Sequence, residues 1–145
     1  MKIHNSIRVE FPSRSLNESF ARGVVALFML PLDPTLEELG DMKTAVSEAV
    51  TNSIVHAYPG EVGRILVKCR IIEDDTVEVI IKDWGCGIED VSRAREPLFT
   101  TGGDDRSGMG FSIMESFTDV LKVKSRPGKG TTVTMIKRIL GKADR

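Results

Sequence analysis

Glu48 and Asn52 are the two residues of this sequence whose types and spacing point most directly to chemistry. They are four residues apart inside a helical pattern, so both side chains lie on one side of the helix, one turn apart. A glutamate in such a place can act as a general base, and an asparagine oxygen is a ligand for a hard cation. The alternative is an ordinary solvated helix face. A catalytic role therefore requires a nucleotide site elsewhere in the chain.

Asp83 is a candidate for reading a nucleotide base. It continues the alternating apolar pattern of residues 77–81, so its side chain should point to the buried face, where a carboxylate needs hydrogen-bond donors. Gly85 and Gly87 follow, and they permit positive φ and the close approach of a flat ligand. A buried carboxylate beside bare backbone suits the amino group of adenine. The alternative is a glycine-rich turn that the Asp83 side chain caps.

A phosphate site is predicted where a loop runs into a helix. Residues 96–107 show no periodicity, which favours a mobile functional loop. Gly108 and Gly110 then begin a helical pattern that carries Phe111, Met114 and Phe117 on one side. Glycines at a helix start expose peptide N–H groups to phosphate oxygens. The P-loop, the kinase catalytic loop and the dinucleotide fingerprint are absent from the sequence, so ATP would have to bind in another way.

The elements that must position these residues alternate between strand and helix patterns. The pattern predicts a strand over 3–11, a helix over about 15–30, a helix over 35–57, a hairpin of 65–71 with 77–81, a short helix over 88–95, a helix after 110, and a hairpin of 120–125 with 131–139. Both long helices begin with a predicted capping box, Ser15 with Glu18 and Thr35 with Glu38. On the first helix, residues 16, 20, 24 and 28 are predicted to share one apolar side, and Glu18 and Arg22 to form a surface ion pair.

Composition limits the classes of function. The 145 residues are expected to form one domain, 1–145, able to bury about two thirds of its unfolded surface. A net charge of -1 leaves no overall attraction for nucleic acid or an anionic membrane. The longest apolar run, residues 24–30, is too short to span a bilayer, so we expect a cytoplasmic protein. Cys69 and Cys86 are expected to be reduced thiols without a metal.

The order of these motifs resembles the GHKL ATPase superfamily of gyrase, chaperone, histidine kinase and mismatch-repair ATPase domains. The features are Glu48-x-x-x-Asn52 on a helix, Asp83-x-Gly85-x-Gly87 after a strand, a loose loop, Gly108-x-Gly110 at a helix start, and a last strand with residues 130–132. The resemblance covers residues 35–138. It implies the Bergerat fold, an α/β two-layer sandwich of a mixed β-sheet covered by helices on one face.

A closer resemblance spans nearly the whole chain. Four segments resemble the anti-sigma-F family of serine kinases from sporulating bacteria: residues 17–22 (NESFAR), 46–52 (VSEAVTN), 96–101 (EPLFTT) and 106–111 (RSGMGF). Two departures lie at the nucleotide site: the segment 102–105 is shorter and less charged than that family's lid, and Trp84 stands where a small or acidic residue is usual.

This resemblance implies a nucleotide site for ATP or ADP with Mg²⁺. Asp83 would read adenine with help from Thr131 or Thr132, Asn52 would hold Mg²⁺ between the phosphates, and the remaining contacts would come from Gly85, Gly87, Thr101, Ser107, Gly108, Met109 and Gly110. Glu48 would deprotonate the acceptor hydroxyl, and Arg106 would contact the γ-phosphate.

The resemblance also implies partners. A homodimer would bind and inhibit the RNA polymerase sigma-F factor through Glu18 and Arg22, and would phosphorylate a serine of an anti-anti-sigma protein. Rival interpretations are an anti-sigma-B-type stress kinase, the detached ATP-binding domain of a sensor histidine kinase, a binding module with a degenerate nucleotide site, and a gyrase-like ATPase, which would need a second domain.

Overall fold

A computed structural model, which describes residues 1–96 and 110–141, has one sheet with helices on one of its faces. The strands are β1 (Ile3–Pro12), β2 (Arg64–Ile72), β3 (Thr76–Asp83), β4 (Val120–Arg126) and β5 (Gly130–Arg138), and the helices are α1 (Asn17–Met29), α2 (Leu36–Asn52), α3 (Val91–Ala94) and α4 (Gly110–Phe117). The predicted α/β two-layer sandwich is confirmed.

The sheet has the strand order β1-β2-β3-β5-β4. Every pairing between these strands is antiparallel, so the predicted mixed sheet is wrong for the described residues. The physical reason is the connections: β2–β3 and β4–β5 are tight hairpins, which can only be antiparallel, and the second hairpin joins the first through antiparallel strands β3 and β5.

Alternate residues of the strands form the core. Ile65, Val67 and Cys69 on β2 and Val79 and Ile81 on β3 are almost fully buried, and they point to the helices. Burying an aliphatic side chain of this size stabilises the fold by about 1.5–3 kcal/mol each. Within residues 1–96 and 110–141, α1 and α2 cover only this face, so the strand residues that alternate with the buried ones point to the opposite face, which is called the helix-free face below.

The capping box at the start of α2 forms as predicted. The Glu38 N–H donates to Thr35 Oγ1 at 3.0 Å, and the Thr35 N–H donates to Glu38 Oε1 at 2.9 Å. The Glu38 carboxylate also accepts from the N–H groups of Leu140 and Gly141, which ties the segment after β5 to this helix. Burial by itself would raise the pKa of Glu38, but these hydrogen bonds outweigh it and lower the pKa. The helix becomes a π-helical turn at 53–57.

Two predicted details of α1, its capping box and part of its buried face, are wrong. Its start has no side-chain capping bond, and Leu16, instead of Ser15, is the N-cap. Leu16 and Phe20, predicted to face the core, are 72% and 56% exposed. The buried face instead consists of Ala21, Val25, Phe28 and Met29. The predicted ion pair between Glu18 and Arg22 is present, with 3.5 Å between Oε2 and Nε.

Candidate functional site

The start of α4 lies against the predicted base and metal ligand on α2. A Cβ atom added to Gly110 would stand 3.3 Å from Glu48 Oε2, 3.3 Å from Asn52 Nδ2 and 3.4 Å from Asn52 Oδ1. Both side chains are half-buried, so they line a cleft between two helices and are not on an open solvated face. Glycine at position 110 keeps this space free.

Asp83 is the buried carboxylate that its strand position predicts, with 4% exposure. Its Oδ1 accepts from the N–H of Gly85 at 3.0 Å and the N–H of Thr131 at 3.2 Å. Its Oδ2 accepts from the Ser53 hydroxyl at 2.9 Å. Among the described residues, Oδ2 thus has one protein donor, and it has a further lone pair with which it can accept a hydrogen bond. Since Ser53 follows Asn52, the network joins the base-reading candidate directly to the end of α2.

The glycines after Asp83 permit close backbone packing. A Cβ on Gly85 would lie 2.2 Å from the carbonyl oxygen of Ala57, and one on Gly87, which has φ of 76°, would lie 2.1 Å from that of Arg126. The Cys86 N–H between them donates to the Ala57 oxygen at 2.9 Å. Among the described residues, therefore, these two glycines bring the loop against the π-helical turn and the β4–β5 hairpin.

The structure separates the two threonines considered for adenine. Thr131 is buried beside Asp83, and its hydroxyl is 2.8 Å from the hydroxyl of Ser125. Thr132 pairs with Lys82 and Lys124, on the face of the sheet away from the helices. The sheet therefore brings Thr131 to the candidate site and leaves Thr132 on the opposite side.

Five predicted site residues lie outside the described part of the chain. They are Thr101, Arg106, Ser107, Gly108 and Met109. Of the predicted phosphate-binding segment, the structure thus places only Gly110.

The predicted partner residues lie beside the same helix. The Ser47 hydroxyl donates to Glu18 Oε1, which connects α1 to the residue that precedes Glu48. Arg22 Nε is buried, and its 3.5 Å contact with Glu18 does not have hydrogen-bond geometry. The Arg22 side chain is 39% exposed and the Glu18 side chain 23%, so Arg22 is the more accessible of the two.

Three residues that the sequence did not single out support the site. Ser53 holds Asp83, Ser125 accepts the N–H of Ile88 at 2.7 Å, and Tyr58 accepts the N–H of Trp84 at 2.7 Å. Serine and tyrosine at these positions carry no distinctive spacing, although π-helical turns are frequent at functional sites. Trp84 is 37% exposed, with Arg64 3.7 Å above its ring, so it does not fill the core.

The residues at the cleft suit a magnesium ion only together with a ligand. Among residues 1–96 and 110–141, no group of three or more His, Cys, Asp or Glu side chains could hold a metal. Mg²⁺ commonly binds through one or two protein oxygens, with water and phosphate oxygens in its other positions. The Asn52 amide oxygen, beside the space that Gly110 leaves, meets that requirement.

This fold and this cleft define a class of protein. The family model described as "Histidine kinase-like ATPase domain" matches residues 19–137, which include α2, the Asp83 loop and α4. A solved structure, the RsbU and RsbW domains of a Mycobacterium tuberculosis protein, has the same fold, with a TM-score of 0.66 at 17% identity over 93% of this chain and 32% of that one. The chain is thus a kinase-like ATPase domain, a class that binds ATP or ADP.

Relatives that match over nearly their whole length identify the family more narrowly. An anti-sigma F factor from Caldanaerobacter subterraneus is 54% identical over 96% of this chain and 97% of its own length. One from Clostridium novyi is 52% identical over 93% of this chain and 95% of its own. The chain therefore belongs to the anti-sigma F factor family of histidine kinase-like ATPases.

Within the described part of the chain, no helix is both long and apolar enough to cross a bilayer.

Proposed function

We propose that this protein binds and inhibits the sigma-F factor of RNA polymerase during sporulation and, as an ATP-dependent protein serine kinase, phosphorylates its anti-anti-sigma antagonist. One domain over residues 1–145 carries both activities, as a homodimer in the cytoplasm. The observation that carries the proposal is the packing of Gly110 on Glu48 and Asn52, next to the buried Asp83, in a chain about half identical to anti-sigma F factors.

The nucleotide lies between the Asp83 loop and the start of α4. Asp83 Oδ2 accepts a hydrogen bond from the adenine amino group, while Oδ1 is held by the N–H groups of Gly85 and Thr131. The N–H of Gly110, at the positive end of the α4 dipole, faces the phosphates. The backbone of Gly85 and Gly87, together with Thr101, Ser107, Gly108 and Met109, completes the nucleotide site. Bound ATP with Mg²⁺ supplies the phosphoryl group and the neutralising cation, and the Asn52 oxygen holds that cation.

Glu48 then acts on the acceptor. Its carboxylate lies one helical turn from Asn52 and shares the space beside Gly110, so the acceptor hydroxyl and the cation are positioned by one rigid helix. Glu48 orients the serine hydroxyl and accepts its proton, and Arg106 neutralises charge that develops on the γ-phosphate. A serine hydroxyl needs such a base more than an imidazole does, which supports serine as the acceptor.

The sigma factor binds to α1. Leu16, Phe20, Leu27 and Leu30 are 72%, 56%, 68% and 51% exposed, and their spacing places them on one stripe along the helix. Gly23, with nothing within 4 Å of its missing side chain, leaves a notch in the middle of that stripe. Exposed apolar patches of this kind mark protein interfaces. Arg22 flanks the stripe and is available to a partner carboxylate. ATP favours this complex, and ADP favours capture of the antagonist.

Sigma binding is tested with Arg22→Glu and Phe20→Ser. Affinity for purified sigma-F in the presence of ATP should fall about 100-fold or more for each variant, because interface anchors of these types carry several kcal/mol. Lys43→Glu is the matched control, an exposed charge reversal on α2. ATP affinity should be the same in all three. Unchanged sigma binding by both α1 variants would exclude this helix as the contact surface.

A further inference from the structure

The helix-free face of the sheet is strongly basic, although the whole chain has a net charge of -1. The strand register places basic side chains on this face from all five strands. Three of them have acidic partners: Arg70 with Glu78 at 2.6 Å, Arg64 with Glu10 at 3.7 Å, and Arg138 with Asp75 at 2.9 Å. Among the described residues, only two acidic strand residues, Glu10 and Glu78, lie on this face.

Six further cations of this face have no ion pair among the described residues. They are Arg8 on β1, Lys68 on β2, Lys82 on β3, and Lys122, Lys124 and Arg126 on β4. These cations lie in rows across the sheet. Arg8 pairs with Lys68, and Thr132 pairs with Lys82 on one side and with Lys124 on the other. Arg8 and Lys68 are directly opposite each other, and like charges in such a pair repel, so this pairing costs stability in the isolated chain. A binding role would account for that cost.

We infer that this basic face, defined by these six cations, docks a carboxylate-rich segment of a partner protein. Residues 122, 124 and 126 alternate along an edge strand, so their side chains repeat every 6.6 Å or so, which matches carboxylates on alternate residues of an extended chain or on successive turns of a helix. A second copy of this chain does not fit, because two such faces would repel each other.

Nucleic acid fits this surface less well than an acidic protein segment. Single strands bind to sheets chiefly by stacking bases on exposed aromatic rings. The only aromatic side chain at this face, among the described residues, is Trp84, and Arg64 already covers its ring at 3.7 Å while Lys82 lies 5.1 Å from it. The carboxylates of Glu10 and Glu78 would also face the phosphates. The carboxylates of a protein segment can be spaced so that none of them lies beside Glu10 or Glu78. The phosphates of a nucleic acid recur at regular intervals, so some of them would lie beside these two residues.

The inference is tested by fluorescence anisotropy with a labelled peptide of about eight glutamates, whose extended length of about 26 Å is close to that of β4. The double variant Lys122→Glu with Lys124→Glu removes the centre of the row on β4. Arg14→Glu with Lys43→Glu is the matched control, since both residues are exposed, lie outside this face and produce the same change in net charge. ATP affinity and circular dichroism establish that both variants fold.

The wild type should bind the peptide with an affinity that falls as salt rises, and the face variant should bind about tenfold more weakly or worse, with the control within about twofold of wild type. An equal loss in the control would show that net charge alone is responsible. Tighter binding of an oligothymidylate of the same charge, lost in the face variant, would show a nucleic-acid surface. Either of these results, or no peptide binding by the wild type at low salt, would overturn the inference.

Discussion

Replacing Asp83 with asparagine should separate base recognition from folding. Because Gly85 and Thr131 both donate to Oδ1, the new amide oxygen must occupy that position, and its NH₂ group must occupy the position of Oδ2. The Ser53 hydroxyl, which now donates to Oδ2 at 2.9 Å, can rotate and accept from the amide. All three contacts survive with a neutral acceptor in place of a charged one. The free energy of unfolding should therefore fall by only about 1 kcal/mol.

The cost to ATP binding should be much larger. The adenine amino group is a donor, and in Asp83→Asn it would meet the amide NH₂, which is also a donor. Losing a charge-assisted hydrogen bond and leaving a buried donor unpaired costs about 2–4 kcal/mol, which is about 30-fold to 1000-fold in Kd. Inosine triphosphate carries an oxygen at that ring position, and an oxygen can accept from the new amide. The variant should thus prefer inosine triphosphate to ATP, whereas the wild type prefers ATP.

Isothermal titration of wild type and Asp83→Asn with both nucleotides measures this preference. Asp75→Asn, at the other end of β3 and far from the glycine loop, is the control and should bind ATP like the wild type. If Asp83→Asn binds ATP normally, or if it weakens both nucleotides equally without a change in preference, then Asp83 does not read the base and the placement of the nucleotide is wrong.

Three further predictions concern the cleft, the α2 start and the thiols. Gly110→Ala should lower the phosphotransfer rate about 10-fold, because its Cβ would lie 3.3 Å from both Glu48 and Asn52 and would force these side chains to shift slightly, while thermal unfolding changes little since alanine favours a helix; an unchanged rate would show that the cleft tolerates a methyl group. Glu38→Ala should lower the free energy of unfolding by about 2–3 kcal/mol at neutral pH, compared with less than about 0.5 for the exposed Glu37→Ala. Since the folded-state pKa of Glu38 is lowered, the stabilisation is complete above its unfolded pKa, and the difference from wild type in urea melts should shrink as the pH falls through the folded pKa; a constant difference would contradict this. Ellman's reagent should label one thiol of the folded chain rapidly, the exposed Cys86, because burial raises the pKa of Cys69 to about 12, and Cys86→Ser should abolish that rapid labelling. Rapid labelling of two thiols would contradict the core packing.

The sequence predicted the structure correctly where a single local feature determines it. The Thr35 capping box depends only on residues three apart, and it forms as predicted. Strand parity determined the direction of Asp83, and that carboxylate is buried with three donors.

The sequence-based predictions failed where packing between distant parts of the chain determines the structure. On α1 two apolar stripes compete, and only packing against α2 and the sheet decides that residues 21, 25 and 28 are buried and that Leu16 and Phe20 are exposed. Strand direction in the sheet depends on how two hairpins meet, which the motifs do not encode. The net charge did not predict the basic face, because a sum over the chain conceals cations that cluster on one side. The alternating lysines of β4 did indicate that one face of this strand is basic.

The most direct test of the account is transfer of radiolabelled γ-phosphate from ATP with Mg²⁺ to a purified anti-anti-sigma protein from the same genome, with wild type, Glu48→Gln and Asn52→Ala compared at saturating ATP. The wild type should yield acid-stable phosphoserine, and both variants should lose about 100-fold or more of this activity, while Glu48→Gln still binds ATP. Acid-labile label on the acceptor, or acid-stable label that persists in Glu48→Gln, would contradict the assignment of Glu48 as the base of a serine kinase.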